Sequence, residues 1–319
     1  MSCYLAWFSD LEDEKLARST GGKGASLCRM FRFGLPVPEG FIVCSELFTE
    51  FMESSGLKEK ILTMIESIDW DRNASGVTVA KEIRDLLLST PMTDELTDSI
   101  KSYYSELGNN VPVAIRSSST AEDLCDASCA GQQDTYLYVI GENDVIDHIK
   151  ECWASLYNDC AIFYRKEKGF DEREVSIAVV VQRMVNSVKS GVMFTANPID
   201  HNPDIAVIEA AWGLGESVVG GIVTPDNYWI NKNSYAIENE YIAEKEVMVV
   251  RKSERGGTME LPVPADLAEA PVLNEEEQKN LVDIAIKVEN FYGKPQDIEW
   301  GIDEFGKLRV LQSRPITTL

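Results

Sequence analysis

Apolar residues recur at three- and four-residue spacing over residues 48–68, 79–88 and 93–107, which predicts three successive helices, the last starting at Thr93-Asp94-Glu95. From Pro112 the pattern shortens: 113–116, 136–140, 175–185 and 190–195 read as strands, interrupted by a helix over 145–165. A second set follows Pro198, with strands over 205–211, 228–230 and 241–250. The polar, proline-containing stretch 252–271 reads as a mobile loop. Residues 275–292 form an amphipathic helical pattern leading into a final hairpin. Near the start, residues 21–30 and Gly34-Leu-Pro-Val-Pro-Glu-Gly-Phe41 read as a glycine loop, a short helix and a proline-bounded entry into a strand.

A chain of 319 residues exceeds the size at which one core usually stops growing, so two lobes are expected, 1–183 and 184–319. Both carry helices and strands. The longest mostly apolar run, 175–185, contains Gln182 and Arg183 and is too short to span a bilayer. Residues 1–14 carry Asp10, Glu12, Asp13 and Glu14 without a basic segment, unlike a secretory signal, so a cytoplasmic location is expected. Seven cysteines without a C-x-x-C pair read as reduced, mostly buried thiols. A formal net charge of -23 disfavours nucleic-acid or anionic-membrane partners. Any anionic ligand then depends on a few local cations.

The terminal hairpin, residues 297–314, is the most informative segment. With a four-residue turn, Asp303 faces Leu308, and the register pairs Glu299 with Gln312 and Asp297 with Arg314. One face then carries two carboxylates, an amide and a guanidinium, while Ile298, Trp300, Ile302 and Leu311 face the core. Carboxylate and amide oxygens suit Mg²⁺, and arginine forks onto phosphate; the alternative is a salt bridge on a solvated face.

Other candidates are weaker alone. Thr20-Gly-Gly-Lys-Gly-Ala-Ser-Leu27 surrounds Lys23 with glycines, but Gly24 stands where a Walker A loop needs Ser or Thr. It reads as a phosphate cradle or as a turn with an exposed lysine. Arg116 followed by serines, with Ala130-Gly-Gln-Gln-Asp-Thr-Tyr136 beyond, reads as a triphosphate lid or an ordinary serine-rich turn. The strand containing Val179-Val-Val-Gln-Arg-Met-Val185 reads as an edge against adenine, with Met184 packing on the ring, or as core. Glu209 ends an apolar run and reads as a ribose contact or a turn cap. His148 and His201 have no metal or triad partner in the pattern and read as structural.

Together, Gly21-Gly-Lys-Gly-Ala-Ser, Gly34-Leu-Pro-Val-Pro-Glu-Gly-Phe, Arg116-Ser-Ser-Ser-Thr-Ala-Glu-Asp, Ala130-Gly-Gln-Gln-Asp-Thr, Val181-Gln-Arg-Met-Val, Gly191-Val-Met-Phe-Thr-Ala-Asn-Pro, Asp297-Ile-Glu-Trp and Gln312-Ser-Arg-Pro occur in one order. This series resembles the N-terminal nucleotide-binding domain of the phosphoenolpyruvate synthase and pyruvate phosphate dikinase family, which includes rifampicin phosphotransferase and phenylphosphate synthase. The resemblance covers essentially the whole chain. It implies an α+β, two-lobed ATP-grasp-like fold with mixed sheets, adenine between the lobes and the triphosphate over the C-terminal β-hairpin. Lys23, Arg116 and Arg314 would bind phosphates, Glu299 and Gln312 would hold Mg²⁺ with Asp297 in support, and Gly131, Gln132, Gln133, Asp134 and Thr135 would cover the phosphates. Gln182, Met184 and Val185 would line the adenine pocket, with Glu209 assisting.

The resemblance also implies that MgATP gives a phosphoryl group to a swivelling phosphohistidine carrier domain, with release of AMP, for delivery to an acceptor-binding domain. Neither domain is legible here, so the chain is expected to be an excised domain or a separate subunit, as in phenylphosphate synthase. The alternatives are a nucleotide-binding regulatory module without transfer activity and a stand-alone ATP-grasp ligase.

Overall fold

The computed structural model describes residues 4–10, 13–119, 135–252 and 256–317, with only the backbone at 13–17 and 73. Contacts within the chain define two units, Met1–Cys28 with Glu39–Met184 and Arg29–Pro38 with Val185–Leu319.

The first unit contains, in chain order, β1 (Leu5–Trp7), the start of α1 (Asp13–Arg32), β2 (Gly40–Val43), α2 (Ser45–Ser54), α3 (Leu57–Glu66), α4 (Asn73–Ser89), α5 (Asp94–Leu107), β3 (Val113–Ser119), β4 (Thr135–Val139), α6 (Glu142–Ser155), α7 (Asp159–Lys168) and β5 (Ile177–Arg183). Its strands form an antiparallel sheet in the order β1-β2-β5-β3-β4. Alternation decides what each face does. Val113 and Ile115 of β3, with Ile177, Val179 and Val181 of β5, join Phe48, Phe51, Ile100 and Trp153 from the helices in one buried cluster. Arg116, Ser118 and Gln182 therefore belong to the opposite face, where α1 lies: a Cβ on Gly24 would stand 3.2 Å from Ile42 Cδ1.

Two stretches read as single helices are each a pair. The first breaks at Gly56, which adopts a left-handed φ of 68° ahead of α3. The second breaks at residues 156–158, where Asn158 is the extended residue before α7. The short helix expected within 21–30 is present as the latter part of α1, but the glycine loop ahead of it is reduced to a kink at Gly21 inside that helix.

The second unit adds β6 (Ser187–Phe194), β7 (Ile205–Trp212), α8 (Glu216–Val219), β8 (Asp226–Asn231), β9 (Ile237–Tyr241), β10 (Val247–Arg251), β11 (Thr258–Pro262), α9 (Ala265–Ala268), α10 (Glu275–Tyr292), β12 (Gln296–Asp303) and β13 (Leu308–Pro315). Six strands form an antiparallel sheet in the order β13-β12-β6-β7-β8-β9. The stretch read as a mobile loop instead supplies β11, paired with β10, and α9. A capping box between Asn274 and Glu277 starts α10, and Gly293 at φ 67° ends it. The helix buries Leu281, Val282, Ala285 and Val288. Ion pairs from Lys189 to Glu277 and from Lys232 to Glu289, each 2.7 Å, tie it to the sheet. Pro36, from the segment preceding β2, accepts a 3.0 Å bond from the Val310 amide on edge strand β13.

A fully buried ion pair, Lys245 to Asp226, joins the loop after β9 to β8. Further bonds surround it: Lys245 also donates to the Ala243 carbonyl, and Asp226 accepts from Tyr228 Oη and the Ala243 and Val272 amides. Such added hydrogen bonds help to offset desolvation of a buried pair.

The α+β class expected from the pattern is the class observed, and no helix among the described residues is long and apolar enough to cross a membrane. Cys28, Cys44 and Cys152 are buried free thiols, whereas Cys160 is disulfide-bonded, contrary to the expectation of reduced cysteines throughout.

Gly191 sets how closely β6 lies to its neighbours. A Cβ there would collide with the Glu209 carbonyl and stand 2.9 Å from Trp300 Cζ2. Gly191→Ala should cost about 3 kcal/mol through overpacking, lowering the thermal midpoint by several degrees. Circular dichroism melting checks it; an unchanged midpoint would show that the strands yield freely.

Candidate functional site

Chemistry-bearing side chains gather on one sheet face in each unit. In the first, β3 pairs Arg116 with Thr135 of β4 and Val180 of β5, and pairs Ala114 with Gln182. Arg116, Thr135 and Gln182 thus share the face covered by α1. Lys23, just past the kink, brings its Nζ to 3.4 Å from the Ser117 carbonyl, beside Arg116 on the same strand. Lys23 and Arg116 are half-buried, Thr135 is exposed and Gln182 is buried. The serines following Arg116 are not a loop at first: β3 continues through Ser119, and Ser117 and Ser118 are buried in it. Gly131, Gln132, Gln133 and Asp134 lie outside the described residues. Met184 follows β5, its amide donating to the Pro112 carbonyl at 2.9 Å, and Val185 is the first residue of the second unit's main segment.

In the second unit the hairpin pairs Asp297 with Arg314 and Glu299 with Gln312, the polar partners expected. Near the turn the register differs. Ile302, not Asp303, faces Leu308, and a bulge between Glu299 and Trp300 absorbs the one-residue change, leaving Leu311 as the extra residue on β13. The turn closes early because Asp303 Oδ1 accepts from the Phe305 and Lys307 amides, both at 2.9 Å, while Gly306 takes a φ of 73°. Leu311, assigned to the core from the pattern, is only half-buried; its Cδ1 lies 3.6 Å from where a Cβ on Gly301 would stand. Val310 takes the buried position, with Ile298, Trp300 and Ile302.

The polar face extends beyond the hairpin. Glu299 pairs with Val192 on β6, which pairs with Glu209 on β7, so the three side chains lie in one row across the sheet. Glu209 is half-buried; burial, then the charge of Asp297, push its carboxyl above the ordinary range. Burial also raises the Asp297 carboxyl, Glu299 adds to this, and Arg314 opposes it. Asp297 Oδ2 accepts from Arg314 Nε at 2.8 Å. The aspartate side chain is 10 % exposed and the arginine 65 %, so a buried acid holds the base of a guanidinium that reaches into solvent.

No cluster of three or more His, Cys, Asp or Glu side chains suited to a metal occurs among the described residues. Glu299 and Gln312 instead offer one carboxylate and one carboxamide oxygen side by side. This sparse oxygen set fits Mg²⁺, which takes most of its ligands from phosphates and water. His148 bonds its Nδ1 to the Asp144 carbonyl at 2.6 Å within α6 and packs against Tyr136, in keeping with a structural role.

Residues 17–319 match the family described as "Pyruvate phosphate dikinase, AMP/ATP-binding domain". Over 99% of its length the chain is 44% identical to a probable phosphoenolpyruvate synthase of Methanocaldococcus jannaschii and 42% identical to the phosphoenolpyruvate synthase of Pyrococcus furiosus. Over 100% of its length it is 37% identical to the rifampicin phosphotransferase of Bacillus cereus. It spans 27%, 44% and 36% of these relatives' own lengths. Among solved structures, D-cycloserine synthetase aligns over 94% of this chain and 63% of its own at 9% identity, with a TM-score of 0.28, too low to bear on the fold. The ordered motifs and the match along nearly the whole chain have one consequence: this protein belongs to the pyruvate phosphate dikinase AMP/ATP-binding domain family.

Proposed function

We propose that this chain is the MgATP-binding part of a dikinase-type phosphotransferase, passing a phosphoryl group to a carrier histidine on another domain or chain. The observation that carries the reading is the register of β12 and β13, which sets Glu299 beside Gln312 and Asp297 beside Arg314 on one face. Conversion of ATP to AMP removes two phosphoryl groups. One forms the phosphohistidine, and the other leaves as inorganic phosphate after reaction with water. An acceptor-binding domain then receives the group from the histidine.

In this reading Lys23, Arg116 and Arg314 bind phosphate oxygens, and Glu299 with Gln312 ligates the ion. Mg²⁺, when bound, neutralises charge on the phosphate oxygens. Asp297 acts on Arg314 rather than on the metal: held through Nε, the guanidinium can direct its terminal nitrogens at a phosphate. Gln182, Met184 and Val185 take the adenine, Glu209 assists near the ribose, and Gly131 to Thr135 cover the phosphates. This division of labour supplies alignment and charge neutralisation, which are the main demands of phosphoryl transfer.

The direct test pairs calorimetry with product analysis. The chain alone should bind MgATP without acceptor turnover, and addition of the carrier should yield AMP and a labelled phosphohistidine. No binding at millimolar MgATP, or release of ADP in place of AMP, would overturn the proposal.

Arg314→Ala should weaken MgATP binding about tenfold or more while leaving the melting curve nearly unchanged, because the side chain is largely exposed. Asp297→Asn should lose part of the same affinity, and the two losses should be less than additive in the double variant. Full additivity would separate Asp297 from Arg314.

A pH effect follows from Glu209. Its carboxyl is raised in the free protein, and a nearby cation favours the ionised form, so MgATP binding should release a proton and tighten as pH rises through that raised value. Calorimetry in buffers of different ionisation enthalpy measures the release. In Glu209→Gln this component should vanish; an undiminished release would remove Glu209 from the ion's surroundings.

A further inference from the structure

In an unbroken α-helix the Gly24 amide would donate to the Thr20 carbonyl four residues earlier. In α1 a strand residue stands between them. Gly24 N donates to Ser118 Oγ at 3.0 Å, and Ser118 Oγ donates to the Thr20 carbonyl at 2.7 Å. A side chain inserted into the hydrogen-bond ladder is a recognised cause of a helix kink. Gly21, at φ 66° and ψ 176°, makes the opening possible. A Cβ on Gly21 would collide with the Ser118 carbonyl and stand 2.5 Å from its hydroxyl oxygen.

Ser118 is fully buried and shares its strand face with Arg116, two residues earlier on β3. Lys23 immediately precedes the amide that Ser118 holds, and its Nζ reaches the carbonyl of Ser117. We infer that Ser118 is a positioning residue for nucleotide phosphates: its hydroxyl, bridging Thr20 and Gly24, sets Lys23 on α1 against Arg116 on β3. This rests on the phosphate-binding reading of Lys23 above. A hydroxyl suits the task because one small group both donates and accepts. Without it, Thr20 and Gly24 either stay unpaired in a buried place or bond to each other and straighten the helix. Both outcomes move Lys23.

The test measures binding of MgATP and of adenosine, which lacks phosphates, by competition with a fluorescent adenine nucleotide. Ser118→Ala is expected to weaken MgATP about tenfold and to change adenosine affinity less than about twofold. In a Lys23→Ala background the same substitution should weaken MgATP by no more than about twofold further, since its effect passes through the lysine. Equal losses for MgATP and adenosine, full additivity with Lys23→Ala, or no MgATP loss in Ser118→Ala would overturn the role of Ser118. If instead Lys23→Ala leaves MgATP affinity unchanged, the phosphate assignment of Lys23 fails, a result separable from those three. Should Ser118→Ala not fold, Ser118→Cys, of similar size but with weak hydrogen bonding, is measured the same way against the same outcomes.

Discussion

Successive residues of a β-strand point to opposite sides, and the second unit's site depends on that alternation. In β12, Asp297 and Glu299 fall on one face, while Ile298, Trp300 and Ile302 are sealed in the core on the other. Burial of the apolar set fixes which way the carboxylates point, since a slip of one residue would drive charge into the core and Trp300 into water. The bulge at Leu311 shows how firmly this holds. The turn closes one residue early to suit Asp303 and Gly306, and the strand takes up the difference before it reaches Gln312 and Arg314. The polar pairs Asp297 with Arg314 and Glu299 with Gln312 remain opposite each other.

Charge is the second constraint. A chain with a formal charge of -23 must bind a polyanion with a few cations, so their placement matters more than their number. Asp297 illustrates the arrangement: desolvation disfavours its charge, and Arg314 partly offsets that effect while being oriented in return. The Glu209 carboxyl is raised by burial and, further, by the charge of Asp297.

What could be read from the residues follows from how local each cause is. The polar pairs of the hairpin were legible because alternation and apolar burial speak directly in the sequence. The turn register was not, because two backbone amides captured by one aspartate decide it. The helix read over 48–68 splits because Gly56 adopts a left-handed conformation that apolar spacing does not record. The polar stretch 252–271 looked like a loop because β11 presents mostly exposed or half-buried residues, its order coming from pairing with β10. Ser118 was hidden in a run of identical residues. Its insertion into a helix nearly a hundred positions away leaves no periodic trace.

The bond from the Val310 amide to Pro36 bears on how the protein is made. Residues 29–38 belong to the same unit as 185–319, so this short proline-bounded segment leaves the ribosome long before the strand whose edge it covers. The first sheet has all its strands once β5 has emerged, whereas the second lacks its last strand until β13 arrives. Order of emergence therefore favours completing one unit before the other, with an early segment held in reserve as the late sheet's closing border.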